Sequence, residues 1–440
     1  MKTLIHNVEI VNEGRRFHGA LLIEDELISG IYEGTMPPID DTCMAVDGKG
    51  ALLLPGIIDT HVHFREPGLT QKADIAHESR AALAGGVTSV MDMPNVVPQT
   101  TTPESWRERM ALESRECRVN YTCYIGATNE PLPPLSAFAE GTYPPVKLFM
   151  GSSTGNMLVD KREALLNIFR NAPTLIVAHC EDTQRINERM AEAQQKWGDD
   201  PAVEHHPWIR DVEACRKSST LAAALANETG ARLHIAHLTT AEELDLLNNK
   251  NITGEVCVGH LLFCDEDYAT LGTRIKCNPA IKTRRDRDAL RQALADGRLL
   301  TVATDHAPHL LSEKEGGARR AASGMPMIQF SLVSMLGLVS QGVLSLERLT
   351  DAMCHQPALL FGLEKRGFLR PGYKADLVLV ASHDWKLQQK DVLSKCGWSP
   401  LEGHTFHWQV QQTYLNGQLA YDHGTIDDAV RGEVLLVNHK

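Results

Sequence analysis

The middle of the chain alternates short apolar runs with longer segments in which apolar residues recur at helical spacing. From Leu52 onward, eight such runs are present, at residues 55–62, 87–93, 119–126, 146–151, 175–179, 233–237, 254–259 and 299–305. Apolar runs without polar alternation are typical of parallel strands that are covered on both faces. Eight strand–helix repeats in succession predict an α/β fold, a (β/α)₈ TIM-like barrel.

Helices are predicted between these strands, where apolar residues recur every three or four positions. The clearest segments of this kind are residues 73–84, 103–116, 211–229, 241–249 and 285–295. We expect these helices to form the outer ring that covers the barrel.

The two ends of the chain follow a different pattern, in which short strands are separated by turns that contain Gly or Pro. The predicted strands lie at residues 2–8, 19–23, 367–371, 374–380, 410–415 and 433–437. We expect one small β-sandwich domain built from residues 1–53 and 365–440, with the barrel of residues 54–364 inserted between its two parts.

Composition and charge restrict the partners of this fold. The chain has 440 residues, with 44 Lys and Arg against 56 Asp and Glu, so its net charge is −12. Nucleic acids and anionic membranes require a basic surface, so neither is expected as a partner. Ten scattered cysteines without a CxxC pair, and no apolar run of about 18 residues, predict a cytoplasmic protein with reduced thiols.

The first barrel strand ends in a histidine pattern that suits metal binding. Alternate side chains of a strand point to one face, so His61, His63 and Arg65 share a face at its carboxyl end. Barrel enzymes place their active sites at this end of the strands. Two imidazoles at this spacing can ligate a metal ion, although a lone pair of this kind also occurs as satisfied core groups.

Four later strands carry residues that extend the same chemistry. Lys147 lies in the fourth run, His179 ends the fifth, His237 ends the sixth and Asp305 ends the eighth. Parallel barrel strands bring their carboxyl ends together, so we expect one metal site. His234 is the competing ligand on the sixth strand and is interpreted as a core residue.

Lys147 is an unusual member of a metal site, because a protonated amine is repelled by cations. Its apolar neighbours disfavour the alternative of a surface or ion-paired lysine. If the amine carries CO₂ as a carbamate, it becomes an anionic oxygen donor that can bridge two ions about 3.5–4 Å apart.

Two segments resemble the signatures of a known enzyme family. Residues 59–68 read Asp-Thr-His-Val-His-Phe-Arg-Glu-Pro-Gly, and residues 303–309 read Ala-Thr-Asp-His-Ala-Pro-His, with Lys314 five residues further on. Both are similar to the signatures of the dihydroorotases, within the metal-dependent amidohydrolase superfamily. The resemblance covers essentially the whole chain, and the run around Lys147 is similar to the lysine-bridged branch of the family.

The resemblance implies a centre of two Zn²⁺ per chain, bridged by a hydroxide, with Asp305 as the general acid and base. The implied ligands of the more buried ion are His61, His63 and Asp305. Those of the second ion are His179 and His237, and carboxylated Lys147 is implied to bind both ions.

The resemblance also implies a small-molecule substrate and a reaction, the reversible cyclisation of N-carbamoyl-L-aspartate to (S)-dihydroorotate in pyrimidine biosynthesis. The substrate carries a free carboxylate, so its pocket needs a cation with forked donors, and Arg65 lies on the correct strand face. The residues implied to contact the substrate are His63, Arg65, Asn95, Asn278 and His309. Asn95 and Asn278 each adjoin a proline, so a simple turn residue is the alternative interpretation of both.

Arg65 also separates the alternative functions. Hydantoinases and allantoinases share the histidine pair, the lysine and the aspartate, but their substrates lack a carboxylate on the ring. A cyclic amidase of that type is the second hypothesis. A non-catalytic structural homologue is the third, and the presence of all six candidate ligands argues against it. A homodimer is the assembly considered for this chain.

Four further expectations concern the surroundings of the site. Residues 310–324 have the polar, Gly-containing composition of a mobile loop that closes over bound substrate. Residues 398–403 are expected to pack on the barrel rim, and His306 is interpreted as a packing residue. His205 and His206 are expected in a solvated connection between helices.

Overall fold

The protein is represented by a computed structural model that describes residues 2–37, 41–151, 157–159 and 161–437. The strands, in chain order, are β1 (Lys2–Asn12), β2 (Arg15–Glu24), β3 (Leu27–Glu33), β4 (Cys43–Asp47), β5 (Leu52–Pro55), β6 (Ile57–Val62), β7 (Val87–Asp92), β8 (Asn120–Cys123), β9 (Ile125–Gly126), β10 (Val146–Met150), β11 (Ile176–Cys180), β12 (Leu233–Ile235), β13 (Ile252–Cys257), β14 (Thr301–Ala303), β15 (Leu377–Lys386), β16 (Thr405–Leu415), β17 (Gln418–Asp422) and β18 (Thr425–Ile426). The α-helices are α1 (Ile75–Ala84), α2 (Pro103–Glu116), α3 (Arg162–Asn171), α4 (Thr183–Trp197), α5 (His206–Ile209), α6 (Val212–Thr229), α7 (Val258–Leu262), α8 (Tyr268–Leu271), α9 (Arg284–Ala295), α10 (Ser331–Ser340), α11 (Leu346–Thr350) and α12 (Gln356–Phe361).

The eight apolar runs form the parallel strands of a closed barrel. Strands β6 to β8 form one parallel sheet, and β9 to β14 form a second. Strands β8 and β9 are the two halves of the third barrel strand. The ring closes between the eighth strand and the first, where Val62 bridges His306 and His63 N–H donates to the His306 carbonyl at 2.8 Å. The predicted barrel is therefore confirmed.

Four of the five predicted helices form at the predicted places, because a side chain caps the first turn of each. Asp74, Thr102, Asp211 and Thr283 accept a backbone N–H at the starts of α1, α2, α6 and α9.

The prediction of a helix at residues 241–249 was wrong, since only a short 3₁₀ segment, Glu242–Leu246, forms there. Asn248 Oδ1 accepts from the backbone N–H groups of Lys250 and Ile252, and this local bonding replaces a further helical turn.

The two ends of the chain meet in one β-domain. Strand β5 pairs antiparallel with β15, and this pair joins the N-terminal and C-terminal strands into a nine-stranded sheet of the described residues. Side chains alternate between two cores: Leu53 and Leu379 pack within the β-domain, whereas Leu54 and Val378 belong to the large core shared with the barrel. Burial on both faces fixes the domain against the barrel.

Two predicted strands of this domain were wrong. Residues 367–371 form no strand, because the Asn12 side chain pairs with both backbone groups of Leu369 in place of a ladder. Residues 433–437 make isolated bridges to the barrel instead: Val434 pairs with Tyr121, and Val437 pairs with Leu363.

All ten cysteines lie within the described ranges and are free thiols. Within the same ranges, no helix combines the length and apolar character needed to cross a bilayer.

Candidate active site

The carboxyl ends of the barrel strands surround a pocket that contains almost every predicted site residue. The residues that line it are His61, His63, Arg65, Asn95, Lys147, Phe149, His179, His237, Asn278, Asp305, Ala307 and Ser323. His309 is not among them, but it contacts Arg65 at the edge of the pocket. The structure therefore brings together all ten residues predicted from the sequence.

The first group of predicted metal ligands surrounds the Asp305 carboxylate. Asp305 Oδ1 lies 3.3 Å from His61 Nε2 and 3.0 Å from His63 Nε2. The other ring nitrogens of these histidines also have partners. His61 Nδ1 lies 2.5 Å from Glu255 Oε1, and His63 Nδ1 lies 2.8 Å from Asn95 Oδ1. Such partners orient an imidazole so that its free nitrogen faces a metal.

The second group lies beside the first. His179 Nδ1 and His237 Nε2 face each other at 2.9 Å, and the rings of His237 and His61 have centroids 5.3 Å apart. Lys147 is fully buried at the same place, and its Nζ atom has no hydrogen-bond partner among the described residues. An unpaired polar atom in the interior costs free energy unless a bound group satisfies it.

Three site residues have positive φ angles, which residues other than glycine seldom adopt. The φ values are 68° at Arg65, 35° at His237 and 48° at Asp305. Conformations of this kind store strain and cluster at active sites, where the surrounding structure holds them in place. The chain therefore accepts local strain to aim these side chains into the pocket.

Burial sets the charge state of the nitrogen donors. It lowers the pKa of His63 to about 4, and it also lowers the pKa values of His179 and His237. The pKa of the Lys147 amine lies below its ordinary value for the same reason. Neutral imidazoles are metal ligands, and only a neutral amine can add CO₂.

Asp305 behaves in the opposite way. Burial alone would raise the pKa of its carboxyl group, but the electrostatic interactions and hydrogen bonds with the His61 and His63 rings outweigh burial and lower it. The carboxylate is therefore ionised and can accept a proton.

The residues present fit a divalent metal site. His61, His63 and Asp305 offer three ligand atoms within 4.8 Å of one another. His179, His237 and the unpartnered Lys147 amine complete a set of nitrogen and oxygen donors of the kind that zinc prefers.

The predicted carboxylate clamp lies next to these ligands. Arg65 is buried, its Nε donates to the Pro308 carbonyl at 3.2 Å, and its Nη2 lies 3.2 Å from His309 Nε2. Asn95 Oδ1 is engaged by His63, which leaves the amide NH₂ group of Asn95 as a donor for a ligand. A buried cation beside a second donor suits an anionic group.

The loop of residues 310–324 covers the clamp. Lys314 Nζ donates to the carbonyl groups of Lys276, Ala322 and Gly324 at 2.7 to 2.9 Å. Gly324 has a φ of 150°, and a Cβ atom there would clash with the Ala307 carbonyl oxygen and lie 2.9 Å from His309 Cδ2, so a larger residue would force the backbone beside His309 to shift. Movement of this loop with substrate stays a prediction.

The family of the chain follows from comparison with known proteins. Residues 52–420 match the model of the Amidohydrolase family. The chain belongs to the amidohydrolase family. This membership, together with the chain's similarity to curated dihydroorotases, identifies the protein as a hydrolase that acts on cyclic amides, as the sequence predicts.

Curated relatives support the resemblance to dihydroorotases. The dihydroorotase of Halobacterium salinarum is 36% identical over 382 residues, which cover 85% of this chain and 87% of the relative. The dihydroorotase of Lactobacillus helveticus is 31% identical over 439 residues, which cover 96% of this chain and all of the relative. The predicted resemblance is therefore confirmed.

Solved structures confirm the fold. L-Hydantoinase from Arthrobacter aurescens superposes with a TM-score of 0.90 at 24% identity and covers 99% of each chain. Dihydropyrimidinase from Brevibacillus agri gives a TM-score of 0.88 at 22% identity and covers 97% of this chain and 96% of its own. At these identities the likeness concerns the fold, a TIM-like barrel with a β-sandwich domain.

Two residues of this amidohydrolase site were missed by the sequence analysis. Glu255, on β13, accepts from the His237 backbone N–H at 3.2 Å and pairs with His61. The sequence signal that could have identified Glu255 is its position as the single carboxylate within the apolar run of residues 254–259. His206 was wrongly expected in solvent: it is buried, and its Nε2 lies 3.1 Å from Asn278 Oδ1.

Three other expectations around the amidohydrolase site, for His234, His306 and the segment that begins at Trp398, are confirmed. His234 is a core residue whose Nδ1 lies 2.7 Å from Thr253 Oγ1. His306 packs behind the first strand, with its Nε2 2.8 Å from Glu78. Trp398 is fully buried on the barrel rim and donates its indole N–H to the His309 carbonyl at 2.7 Å.

Proposed function

We propose that the protein is a dihydroorotase that catalyses the reversible cyclisation of N-carbamoyl-L-aspartate to (S)-dihydroorotate, with two Zn²⁺ per chain. The observation that carries this proposal is the buried Arg65 guanidinium, which lies beside His309 at the edge of the metal-ligand pocket. Cyclic amides without a carboxylate would leave this cation unpaired on binding, at a cost in affinity.

The metal ions would be held by the two groups of ligands described above and by Lys147 in its carboxylated form. When bound, two such ions supply a water of lowered pKa and polarise the carbonyl group that reacts. The histidines would position these ions: His61 and His63 lie on one side of the pocket, and His179 and His237 lie on the other.

Asp305 is the residue that moves the proton. In hydrolysis, its ionised carboxylate accepts a proton from the attacking water and delivers it to the ring nitrogen that leaves. In the cyclisation, it takes a proton from the carbamoyl nitrogen and returns it to the departing water. Its place between His61 and His63 keeps the carboxylate at the reacting carbonyl in both directions.

Arg65, Asn95 and His309 would bind the substrate carboxylate, and Asn278 would contact the ring. Asn278 Oδ1 is engaged by His206, so the Asn278 amide presents its NH₂ group to a ring carbonyl. These contacts fix the orientation of the ring, so that its opposite amide bond faces Asp305.

We also propose the domain bounds of the enzyme and its location in the cell. We place the barrel at residues 54–364 and the two parts of the β-domain at residues 1–53 and 365–440, of which residues 433–437 bridge back to the barrel. The protein is proposed to be a cytoplasmic enzyme with a small-molecule substrate.

A direct assay tests the function. Purified protein loaded with zinc is expected to interconvert dihydroorotate and N-carbamoyl-L-aspartate, as followed by chromatography of both compounds. Asp305→Asn is expected to reduce kcat about 10²- to 10⁴-fold, the usual contribution of an acid–base residue. Asp384→Asn is the matched control, because within the described ranges Asp384 forms an exposed pair with His407 and lies outside the pocket. Robust hydrolysis of hydantoin or allantoin without turnover of dihydroorotate would overturn the proposal.

A further inference from the structure

A buried histidine that takes no part in the proposed chemistry lies behind Asn278. His206 belongs to α5 and is 2% exposed. Its Nε2 atom lies 3.0 Å from the Cys277 carbonyl oxygen and 3.1 Å from Asn278 Oδ1. The other ring nitrogen, Nδ1, is also buried and has no hydrogen-bond partner among the described residues.

These contacts determine which nitrogen of His206 carries the proton. A backbone carbonyl oxygen can only accept, so the Nε2 atom beside the Cys277 carbonyl must donate. Burial and the nearby positive charges of Lys276 and Arg210 hold the pKa of His206 well below its ordinary value, so the imidazole is neutral. A neutral imidazole with its proton on Nε2 has a bare Nδ1, which agrees with the absence of an acceptor for Nδ1 within the described ranges.

The proton on Nε2 fixes the orientation of the Asn278 amide. A donor at Nε2 requires acceptors around it, so the Asn278 side chain turns its carbonyl oxygen toward His206. The opposite orientation would place the NH₂ group of Asn278 against the Nε2 proton, and two donors would face each other. Because Asn278 lines the pocket, its NH₂ group is left to donate to a bound ligand.

We propose that His206 is a positioning residue, which holds the Asn278 amide with its NH₂ group toward the pocket and so makes this place in the site accept a ring carbonyl oxygen and reject a ring N–H group. A cyclic amide carries both groups side by side, so the orientation of one side-chain amide decides which of them is bound. The identity of the ring rests on the proposed dihydroorotase function. The orientation of the amide rests only on the contacts of His206 with Cys277 and Asn278.

A second buried histidine provides a matched comparison. His260, on α7, supports the same turn, because its Nε2 lies 3.1 Å from the Pro279 carbonyl oxygen and 3.6 Å from Cys277 Sγ. Burial lowers the pKa of His260 to about 4, so this imidazole is neutral as well. Its partners are a backbone carbonyl and a thiol, whereas His206 bonds to the Asn278 side chain. Loss of His260 should therefore loosen the turn without releasing the amide.

Two substitutions of Asn278 test which end of its amide faces the ligand. Asn278→Asp replaces the NH₂ group by an oxygen that only accepts, and Asn278→Leu keeps a similar size but carries neither group. If NH₂ faces the pocket, the aspartate oxygen opposes the ring carbonyl. KM for dihydroorotate and N-carbamoyl-L-aspartate should then be roughly 10-fold higher in Asn278→Asp than in Asn278→Leu. An equal or lower KM in Asn278→Asp would overturn the proposed orientation.

A double-mutant cycle tests whether His206 acts through Asn278. His206→Phe keeps a buried ring but removes the donor, so KM should rise about 3- to 10-fold, the effect of one neutral hydrogen bond. Its kcat should stay within about threefold, because Asp305 and the metal ligands are untouched. His206→Gln, whose amide can still donate, should restore most of the affinity. Added to Asn278→Leu, His206→Phe should leave KM unchanged, since the group that it positions is already gone.

His260→Phe is the control for a merely structural effect, and its KM should stay within about twofold of the wild type. An equal rise of KM in His260→Phe would show that a loosened turn explains the result. A further rise when His206→Phe is added to Asn278→Leu would show that His206 acts elsewhere. Either outcome would overturn the proposal.

Magnetic resonance gives a measurement that is independent of activity. In ¹⁵N-histidine-labelled protein, with the His206 signals assigned by their loss in His206→Phe, His206 should show a protonated Nε2 and a bare Nδ1. In ¹⁵N-asparagine-labelled protein, the side-chain NH₂ signals of Asn278 should shift in His206→Phe and not in His260→Phe. A protonated Nδ1, or NH₂ signals that ignore His206→Phe, would contradict the role of His206. If both observations hold but the wild type does not turn over dihydroorotate, the proposed function fails and the role of His206 stands.

Discussion

At the scale of single residues, the predicted metal ligands depend on partners that lie far away along the chain. His61 and Glu255 are 194 positions apart, yet their side chains meet at 2.5 Å inside the barrel. Glu255 Oε2 also lies 3.4 Å from Thr60 Oγ1, so both carboxylate oxygens have partners. A carboxylate with both oxygens bonded fixes the orientation of the His61 ring, so the loss of this carboxylate should weaken metal binding at the proposed site.

Glu255→Gln tests this dependence. The amide keeps the shape of Glu255 but weakens its bond to His61 Nδ1, so zinc affinity should fall about 10- to 100-fold, as for other partners of metal ligands. Competition with a chelator gives the affinity directly. Glu243→Gln is the control, because Glu243 is also a buried carboxylate, but its partners Ser219 and Thr240 do not line the pocket. Equal zinc affinity in both variants would show that Glu255 does not support the site.

Residue-level prediction succeeded where chemistry is tied to strand ends. His179 and Asp305 could be predicted because a barrel strand has a definite carboxyl end. Glu255 and His206 could not, because their importance comes from contacts across the barrel. The sequence places His206 directly after the polar Glu204 and His205, and only the folded chain buries it against Asn278.

At the scale of elements, the segment of residues 433–437 shows how an apolar pattern can be assigned to the wrong neighbour. The sequence predicts that this apolar segment forms a strand of the β-domain. The Tyr121 backbone N–H instead donates to the Glu433 carbonyl at 2.9 Å, and the Leu435 N–H donates to the Tyr121 carbonyl at 2.8 Å. Leu435 is fully buried among residues of the barrel, including Tyr124 and Phe361.

Two adjacent leucines allow a controlled test of this docking. Leu435→Ala should lower the free energy of unfolding by about 2–5 kcal/mol, the usual effect of truncating a buried leucine. Leu436→Ala should change it by less than about 0.5 kcal/mol, because Leu436 is 46% exposed. Denaturant unfolding of both variants measures the two values, and similar values would show that this segment does not dock on the barrel.

Elements with two agreeing signals were predicted well. Helices α2 and α6 have helical spacing and a capping residue, Thr102 or Asp211, and both begin within one residue of the predicted position. Residues 241–249 also have the spacing and a cap, because Thr240 Oγ1 accepts from the Glu243 backbone N–H at 3.2 Å, but side-chain bonds of Asn248 end the helical segment early. Even two agreeing signals fail where a later polar side chain competes for the backbone N–H groups.

At the scale of the whole molecule, one buried arginine connects the two parts of the fold. Arg366 pairs with Asp376, and it donates to Asn416 at 2.9 Å and to Glu433 at 3.0 Å. Asn120, on barrel strand β8, joins the same network through Asp376 and Asn416. The barrel and the β-domain are thus linked by a buried set of polar contacts.

Arg366→Met should destabilise the whole molecule. It leaves the buried Asp376 carboxylate without its cation, so the free energy of unfolding should fall by about 3–5 kcal/mol. Arg370→Met is the control, because the Arg370–Glu13 pair is exposed and such pairs contribute about 0–1 kcal/mol. Calorimetry should show one transition in each protein. Separate melting of the β-domain with an unshifted barrel transition would contradict this coupling.

The pairing of β5 with β15 also has a consequence for synthesis on the ribosome. Translation proceeds from the N-terminus at roughly 5–20 residues per second, so β5 emerges long before β15. Until β15 arrives, one edge of β5 lacks its partner and is open to pairing with other chains. Stalled nascent chains that end before Leu377 should therefore aggregate more readily than chains that extend beyond Lys386. The protein is most vulnerable to misassembly while it is still being translated.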